Sequence, residues 1–591
     1  MPSRSIAALH THFRRLALIV PPLLALLVYA PALNGEFTNW DDHQLVKDNP
    51  AVLSLAPGAI AAICTPQPGA TYQPVRVLSY AIDHVLWGFR PFGYHVINVL
   101  LHGCAAGLLI LGLVSLLAKL RPKASERENQ VAAMVVGLLF LLHPVNVESV
   151  AWISSRKYGL LAIFSAWALW AWGQTRHRQM IAATILAALS SPFGVALAPG
   201  LLLAELCANA GDWRQVLRAQ RPLLVTAAAL VLFFAWLLVF NEPADAGPVK
   251  ERKVSLATLL AVPAGYAQNL AWPMALNNRY LDRPASSFVN PRVLLVLFGG
   301  LALIAFAVGE LRKGRFLALF CVGWALLWWL PVSNIIPIST RMADRYLYLP
   351  CIGIFLGLVC VAQARIPRQP FLIAISAILL VCTGLSFRRA AIWKSSETLW
   401  ADSLRSQPDS FLALGNYALV QQSSGDFTGA MTTFERALGL SPGNPILLNN
   451  IGFCHLKQNQ HAEAIPRFEQ AVAADPGYID ARVNLTDAIT ATGNFAACLP
   501  HHEILVQQSP DAANLWADYG DSLLRLSRFA DSATMYQHAV DRGFYHPGVL
   551  LNMAIAQEHS GDKSGAMQTL LDAQQRFPTD TGIKAAIARL Q

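Results

Sequence analysis

The chain has 591 residues, of which 54% are hydrophobic and only 14% are charged. In ordinary soluble proteins about a quarter of the side chains are charged, so this composition excludes that class and predicts a protein embedded in a lipid bilayer. The formal net charge is +9, but residues 1–394 hold 33 Lys and Arg against 16 Asp and Glu, whereas residues 395–591 hold 12 against 20. An excess of positive charge in the apolar part is typical of a membrane protein, in which Lys and Arg collect in the cytoplasmic loops. We therefore expect no nucleic-acid partner.

Apolar runs recur through the first two thirds of the chain. A spanning helix needs about 20 mostly apolar residues, and the sequence predicts about eleven transmembrane helices. We expect the first to be retained, because no small-residue cleavage site follows it. The runs lie near residues 16–33, 93–118, 131–144, 158–174, 180–190, 193–207, 222–241, 292–309, 316–332, 346–364 and 371–386.

Clusters of Lys and Arg fall on alternate loops between these runs, which predicts that those loops are cytoplasmic. The intervening loops, and everything after about residue 387, are then extracytoplasmic. Arg388 and Arg389, at the end of the last run, go against this rule. The predicted extracytoplasmic loops are residues 34–92, 144–157, 242–291 and 333–345.

Two adjacent carboxylates follow the first helix in the sequence Trp40-Asp41-Asp42-His43. An acidic side chain at the membrane surface can take a proton from a hydroxyl acceptor. Aspartates at helix ends also serve simply as turn or capping residues, and the motif alone does not separate these roles. Carboxylate oxygens suit Mg or Mn as well, but two neighbouring aspartates are too few to predict a metal site.

The same loop continues through Arg76 and enters the second helix with His95, Asn98 and His102. The last three are spaced to lie on one face of a helix. A polar stripe between packed helices is favoured over metal ligation. Arg76 and the histidines remain accessory candidates.

The second extracytoplasmic loop runs from His143-Pro144 through Glu148 to Arg156-Lys157. The two cations stand where a phosphate-bearing headgroup would lie. The alternative is that they are interface anchors whose charged ends reach the water.

Two arginines, Arg341 and Arg345, occur in the loop before the tenth run. A guanidinium binds two phosphate oxygens at once through its planar fork. Arg345 stands on the side of the membrane where positive charge is otherwise sparse, which makes it a candidate phosphate contact.

Self-similarity with a period of 34 residues begins near residue 411. The pattern predicts about five helical-hairpin repeats and a final capping helix near 581–591, stacked into a superhelix with a concave face. A spacer or oligomerisation module is the alternative role. The recurring positions are prolines at 442, 476, 510 and 578, turn residues at 425, 459, 493, 527 and 561, and small residues at 430, 464, 498, 532 and 566.

Taken together and in order, these blocks resemble the transmembrane and tetratricopeptide-repeat proteins. The resemblance rests on Trp40-Asp41-Asp42, on Arg90-Pro91 with Gly93-Tyr94-His95, on His143 to Lys157, and on Ala343 to Pro350, followed by the repeat tail. It implies an all-α protein: a polytopic membrane bundle of the GT-C type over residues 1–394, then an extracytoplasmic tetratricopeptide solenoid over 395–591. One departure is Ser190-Ser191-Pro192, where relatives tend to have Ser-Lys.

The resemblance further implies transfer of a sugar from a polyprenyl-phosphate carrier to Ser or Thr hydroxyls of an extracytoplasmic protein bound by the tail. It places the catalytic carboxylate at Asp41 or Asp42 and the main phosphate contact at Arg345. Secondary donor-site candidates are Glu148, Arg156, Lys157 and Arg341, and accessory candidates are His43, Arg76, His95, His102 and His143.

Two other classes remain open from the sequence. One is a membrane-anchored repeat scaffold without enzymatic activity, and the other is a transporter of lipid-linked saccharide, which would require charged residues deep within the helices. For location, we expect a bacterial inner membrane with a periplasmic tail rather than the endoplasmic reticulum, since no retention signal is recognised.

Overall fold

The computed structural model describes residues 2–67, 71–240, 255–280, 287–335, 338 and 340–591. Parts of three predicted extracytoplasmic loops, 34–92, 242–291 and 333–345, therefore lie outside the described residues. The chain forms two compact units, Met1–Gln407 and Pro408–Gln591.

All regular elements among the described residues are helical, which confirms the predicted all-α class. The first unit contains α1 (Pro2–Val28), α2 (Ala30–Leu33), α3 (Pro57–Cys64), α4 (Pro74–Trp87), α5 (Pro91–Leu120), α6 (Glu126–Leu142), α7 (Val147–Ala151), α8 (Arg156–Gly173), α9 (His177–Ser190), α10 (Leu197–Ala208), α11 (Trp213–Ala219), α12 (Arg221–Phe240), α13 (Leu256–Ala271), α14 (Pro291–Arg312), α15 (Leu317–Trp329), α16 (Pro350–Arg365), α17 (Arg368–Ile392) and α18 (Ser396–Ser406).

Each predicted apolar run coincides with one or two of these helices. Among the described residues, five helices are long and apolar enough to cross a membrane: α1 from Thr11, α5, α12, α14 and α17. A sixth candidate is α6 together with the segment Pro144–Ala151, bent by 53°. These helices make the chain a membrane protein. Because the other apolar helices are shorter, the predicted count of about eleven spans is not confirmed.

Small residues allow α1 and α5 to approach closely. A Cβ atom on Gly103 would come within 2.5 Å of the Cα atom of Pro22, and one on Gly107 equally close to the carbonyl oxygen of Ala17. Larger side chains at these glycines would force the two helices apart. This contact holds α1 against α5, and the loop that carries Asp41 follows α1 and the short helix α2.

The chain between α6 and α8 is irregular, and this irregularity positions the candidate site. His143 and Pro144 end α6, and short 3-10 helices at Pro144–Asn146 and Ile153–Ser155 flank α7. Asn98 of α5 supports the stretch by donating from Nδ2 to the carbonyl of Trp152 at 3.1 Å. The carbonyl of Trp152 thus keeps a hydrogen-bond partner where the backbone leaves helical geometry.

The second unit consists of paired helices and confirms the predicted tetratricopeptide repeats. The inter-helix turn positions at 425, 459, 493, 527 and 561 all have positive φ, between 59° and 98°, which is the left-handed conformation that ends a helix. The helices are α19 (Phe411–Ser423), α20 (Phe427–Leu440), α21 (Pro445–Lys457), α22 (His461–Ala474), α23 (Ile479–Ala491), α24 (Phe495–Gln508), α25 (Ala513–Arg525), α26 (Phe529–Asp541), α27 (Pro547–His559), α28 (Lys563–Arg576) and α29 (Thr581–Leu590).

Candidate active site

The two adjacent aspartates have different environments. Asp42 is fully buried, and its carboxylate accepts four hydrogen bonds. The backbone N–H and hydroxyl of Thr38 donate to Oδ2, both at 2.8 Å. The backbone N–H and hydroxyl of Ser154 donate to Oδ1, at 2.9 and 2.5 Å. Asp42 therefore ties the loop that follows α2 to the irregular stretch before α8.

Asp41 is half-buried, and no hydrogen bond to its carboxylate is found within the described part of the chain. Burial raises the pKa of Asp41, and the positive charges of Arg345, Lys157 and Arg76 oppose that rise. A carboxylate that accepts no hydrogen bond among the described residues and is influenced by three positive charges can accept a proton and lies beside a place for an anion.

Arg345 is held by Glu148. The guanidinium pairs with one carboxylate oxygen of Glu148, and the backbone N–H of Arg345 donates to the other at 3.1 Å. Arg345 also lies over the rings of Trp40 and Trp152, with its Cζ atom 5.7 and 5.4 Å from their centroids. Glu148 is thus placed to orient Arg345, and its own charge is not suited to a phosphate.

Arg156 is completely enclosed. Its guanidinium pairs with Asp83 and donates to Asn98 Oδ1 at 2.7 Å and to the carbonyl of Tyr94 at 2.9 Å. The charge lies 4.7 Å from the centre of the Tyr80 ring. Because its donors are engaged inside the protein, Arg156 joins α4, α5 and α8. Asp83 was not singled out from the sequence, since a lone aspartate in a long loop carries no pattern.

Arg76 and Lys157 have fewer partners. Arg76 is 8% exposed, and its Nε atom is buried without a hydrogen-bond partner among the described residues. Lys157 lies over the ring of Phe193, 5.8 Å from its centre. Burial lowers the pKa of Lys157 to about 7, assisted by the like charges of Arg76 and Arg345. Two poorly neutralised cations beside Asp41 are the strongest indication of an anion site.

A small apolar cleft adjoins this cluster. Its wall includes Tyr158, Leu161, Phe193 and Trp328, with Arg345 contributing the cationic side chain. This combination suits an amphipathic ligand that carries a negative group.

Asp344, next to Arg345, is held by two residues of another segment. Its Oδ1 atom accepts from Tyr280 Oη at 2.6 Å and from Asn269 Nδ2 at 2.9 Å. Burial raises the pKa of Asp344. The Asp344 side chain therefore has a structural role and fixes the backbone immediately before Arg345.

The histidines are not gathered at this cluster. His43 is exposed. His102 hydrogen-bonds Tyr348 Oη at 2.7 Å, and His143 contacts the carbonyl of Leu270 at 3.1 Å, so both connect packed segments. His95 is buried in α5.

Arg341 is half-buried, and its carbonyl accepts from Asn334 Nδ2 at 2.8 Å. The described residues contain no group of three or more His, Cys, Asp or Glu arranged for a metal ion. Asp42 is not placed to ligate Mg or Mn, because four donors already occupy its oxygens.

Comparison with known proteins supports the repeats and the resemblance. Models of the tetratricopeptide repeat match residues 455–500, and residues 383–445 and 518–581. Among solved structures, the chain resembles YrrB, described as a TPR protein with an unusual peptide-binding site, at 15% identity over 32% of this chain and 96% of that chain, with a TM-score of 0.30.

Curated relatives align with most of the chain. Human protein O-mannosyl-transferase TMTC3 is 22% identical over 82% of this chain and 59% of its own length. Drosophila melanogaster protein O-mannosyl-transferase Tmtc3 is 24% identical over 73% and 54%, and Caenorhabditis elegans protein O-mannosyl-transferase F38B6.6 is 24% identical over 71% and 62%. The chain thus spans about three fifths of the length of these relatives. The predicted family resemblance is confirmed, and the GT-C superfamily is consistent with it.

Proposed function

From this homology and the geometry of the site, we propose that the chain is an integral-membrane glycosyltransferase of the GT-C type. It transfers a sugar from a polyprenyl-phosphate-linked donor to Ser or Thr hydroxyls of an extracytoplasmic protein. The observation that carries the proposal is the Asp41 carboxylate, which accepts no hydrogen bond within the described residues and is under the electrostatic influence of Arg76, Lys157 and Arg345.

Asp41 is the proposed base. It takes the proton of the acceptor hydroxyl as the hydroxyl oxygen forms a bond to the anomeric carbon. The bond between that carbon and the phosphate oxygen breaks, and the polyprenyl phosphate leaves with the electron pair. A direct displacement of this kind inverts the anomeric configuration.

Arg76, Lys157 and Arg345 are the proposed phosphate contacts. Negative charge accumulates on the leaving phosphate, and preorganised cations at that position stabilise the transition state. We leave Arg156 out of direct phosphate contact, because its guanidinium is engaged by Asp83, Asn98 and the carbonyl of Tyr94 inside the protein. We leave Glu148 out because its negative charge would repel a phosphate. The apolar cleft beside Arg345 is the proposed place for the first prenyl units of the carrier.

The repeat unit is proposed to bind the acceptor polypeptide, as concave repeat surfaces commonly bind peptides. We propose that it lies on the extracytoplasmic side, in the periplasm if the membrane is the bacterial inner membrane predicted from the sequence. Mannose is the first sugar to test, because the named relatives are protein O-mannosyl-transferases.

The experiment uses the full-length protein in proteoliposomes with polyprenyl-phosphate-mannose and a mixture of extracytoplasmic proteins. Mass spectrometry should find a hexose-sized mass on Ser or Thr with the wild type, and none with Asp41→Asn or Arg345→Ala. Both variants should still insert into membranes. Full transfer by both variants would exclude this site.

A non-enzymatic scaffold gives a different result in the same experiment. Its capture of partner proteins would be unchanged by Asp41→Asn, and the wild type would add no sugar. Comparing the extracytoplasmic proteins of cells with and without the gene identifies the natural sugar and acceptor together.

A further inference from the structure

The segment that follows α17 packs on the loop that carries Asp41. The ring of Trp40 stacks on that of Trp152, with centroids 4.7 Å apart. It also lies parallel to Trp393 at 6.3 Å and inclined to Trp400 at 5.4 Å. Trp393 and Trp400 are both fully buried. Since Trp40 directly precedes Asp41, the position of the Asp41 backbone depends on this aromatic cluster.

Hydrogen bonds join the same two segments. The backbone N–H of Asn39 donates to Ser396 Oγ at 2.9 Å, and Trp400 Nε1 donates to Asn39 Oδ1 at 2.6 Å. The backbone N–H of Ser396 donates to Glu36 Oε1, and the backbone N–H of Glu36 donates to the carbonyl of Lys394, both at 2.9 Å. Residues about 360 positions apart in sequence thus form one connected structure.

Helix α18 is itself held from other directions. Asn277 Nδ2 donates to Ser406 Oγ at 2.7 Å, and Ser403 Oγ donates to Asn278 Oδ1 at 2.5 Å. Arg389 of α17 pairs with Asp402 of α18 at 2.6 Å. The helix is therefore a fixed support rather than a flexible connection.

We propose that Ser396 and Trp400 of α18 are positioning residues of the active site. They hold Asn39 and Trp40, and through them set the place of Asp41 relative to the cations that bind the donor phosphate. This inference rests on the proposed role of Asp41 as the base, and it extends the site to a segment beyond the last long helix.

One consequence concerns truncations. Removing residues 395–591 would remove Ser396 and Trp400 together with the repeats. Loss of turnover in that truncated protein would not separate acceptor binding from the geometry of Asp41, so the test needs point variants of the full chain.

The test compares Ser396→Ala and Trp400→Phe with the matched control Ser395→Ala. Ser395 caps the same helix by accepting from Thr398 N–H at 3.1 Å, and its side chain is not among the contacts to the loop. Phenylalanine at 400 retains an aromatic ring but lacks the donor to Asn39. Each protein is assayed for kcat and donor KM with polyprenyl-phosphate-mannose, and hydrogen exchange is followed in residues 36–43.

We expect kcat to fall about tenfold or more in both loop-contact variants, since small displacements of a catalytic group are costly. Donor KM should stay within about twofold, and protection of residues 36–43 should decrease. Ser395→Ala should leave all three quantities at wild-type values. Asn39→Ala should reproduce the effect of Trp400→Phe, and the double variant should be no worse than either single variant, because both remove one contact.

Wild-type kcat and wild-type protection in both Ser396→Ala and Trp400→Phe would overturn the inference. If the wild type transfers no sugar, the proposed function fails, and hydrogen exchange still decides whether α18 holds the loop. Decreased protection confined to 36–43 would support that contact, and unchanged protection would refute it.

Discussion

Arg345 is bound by both carboxylate oxygens of Glu148, one through its guanidinium and one through its backbone N–H. The two residues lie in different segments, Glu148 in α7 and Arg345 in the 3-10 helix Asp344–Leu347. Their side chains are almost completely buried. This pair therefore holds together the two segments that form one wall of the proposed donor site.

Breaking this pair should destabilise the protein. Removal of one partner from a buried ion pair typically costs about 3–5 kcal/mol, so Glu148→Gln should lower the thermal unfolding temperature in detergent. The double variant Glu148→Gln/Arg345→Gln should recover part of that loss, because no unpaired charge remains. It should nevertheless transfer no sugar. Wild-type turnover in the double variant would remove Arg345 from the phosphate site.

The adjacent aspartates should give opposite phenotypes. Asp41→Asn should lower turnover by about 100-fold or more, the contribution of a general base, with little change in unfolding temperature. Asp42→Ala should destabilise the protein, at about 1–3 kcal/mol for each buried donor left unsatisfied. Unfolding followed by tryptophan fluorescence, together with transfer assays on folded protein, measures both. Equal stability of the two variants would contradict the assignment.

The sequence predicted the helices and repeats because both depend on local periodicity. An apolar run or a 34-residue period can be recognised from the residues of that segment alone. By contrast, Asp41 and Asp42 are adjacent and chemically identical, and two of the four hydrogen bonds that distinguish Asp42 come from Ser154, 112 residues away. Pairing of Arg156 with Asp83 depends likewise on how α4 packs against α8. Tertiary contacts of this kind cannot be predicted from the spacing of residues in the sequence.

Arg76 and Arg156 provide a second matched comparison. Arg156→Met should destabilise the protein, since it leaves Asp83 buried without its counter-charge. Arg76→Met removes a buried cation whose Nε has no partner among the described residues. It should therefore increase the free energy of unfolding by on the order of 1 kcal/mol, which raises the unfolding temperature. It should also raise donor KM. A destabilised Arg76→Met protein with unchanged KM would show that Arg76 is structural.

The repeat unit should be digested by protease added on the extracytoplasmic side of intact membranes. Arg388 and Arg389 argue against this orientation by the loop-charge rule, but Arg389 is buried and neutralised by Asp402 at 2.6 Å. The ion pair with Asp402 thus explains why Arg389 can depart from the loop-charge rule. A cytoplasmic marker protein should stay intact in the same sample. Protection of residues 408–591 until the membrane is permeabilised would place them in the cytoplasm and contradict the proposed acceptor role.

Transfer should depend on pH through Asp41 and Lys157. Asp41 acts as a base only when deprotonated, so kcat/KM should rise with pH through the elevated pKa of Asp41. Lys157 binds phosphate only when protonated, and its pKa is about 7. Donor affinity should therefore fall as the pH rises above 7. The pH profile of kcat/KM, which reports the free enzyme, should have the shape of a bell.

Lys157→Arg tests the alkaline side of that profile, because arginine stays protonated throughout. In this variant the fall of kcat/KM above pH 7 should disappear, while the acid side is unchanged. Stability supplies an independent check. Because folding lowers the pKa of Lys157, the unfolded chain binds an extra proton between about pH 7 and the ordinary lysine pKa near 10.4. The contribution of Lys157 to stability must then rise with pH in that window, and Lys157→Met should flatten the rise. An unchanged pH dependence of unfolding in Lys157→Met would mean that Lys157 is charged in the folded protein at neutral pH, and the alkaline limb would need another group.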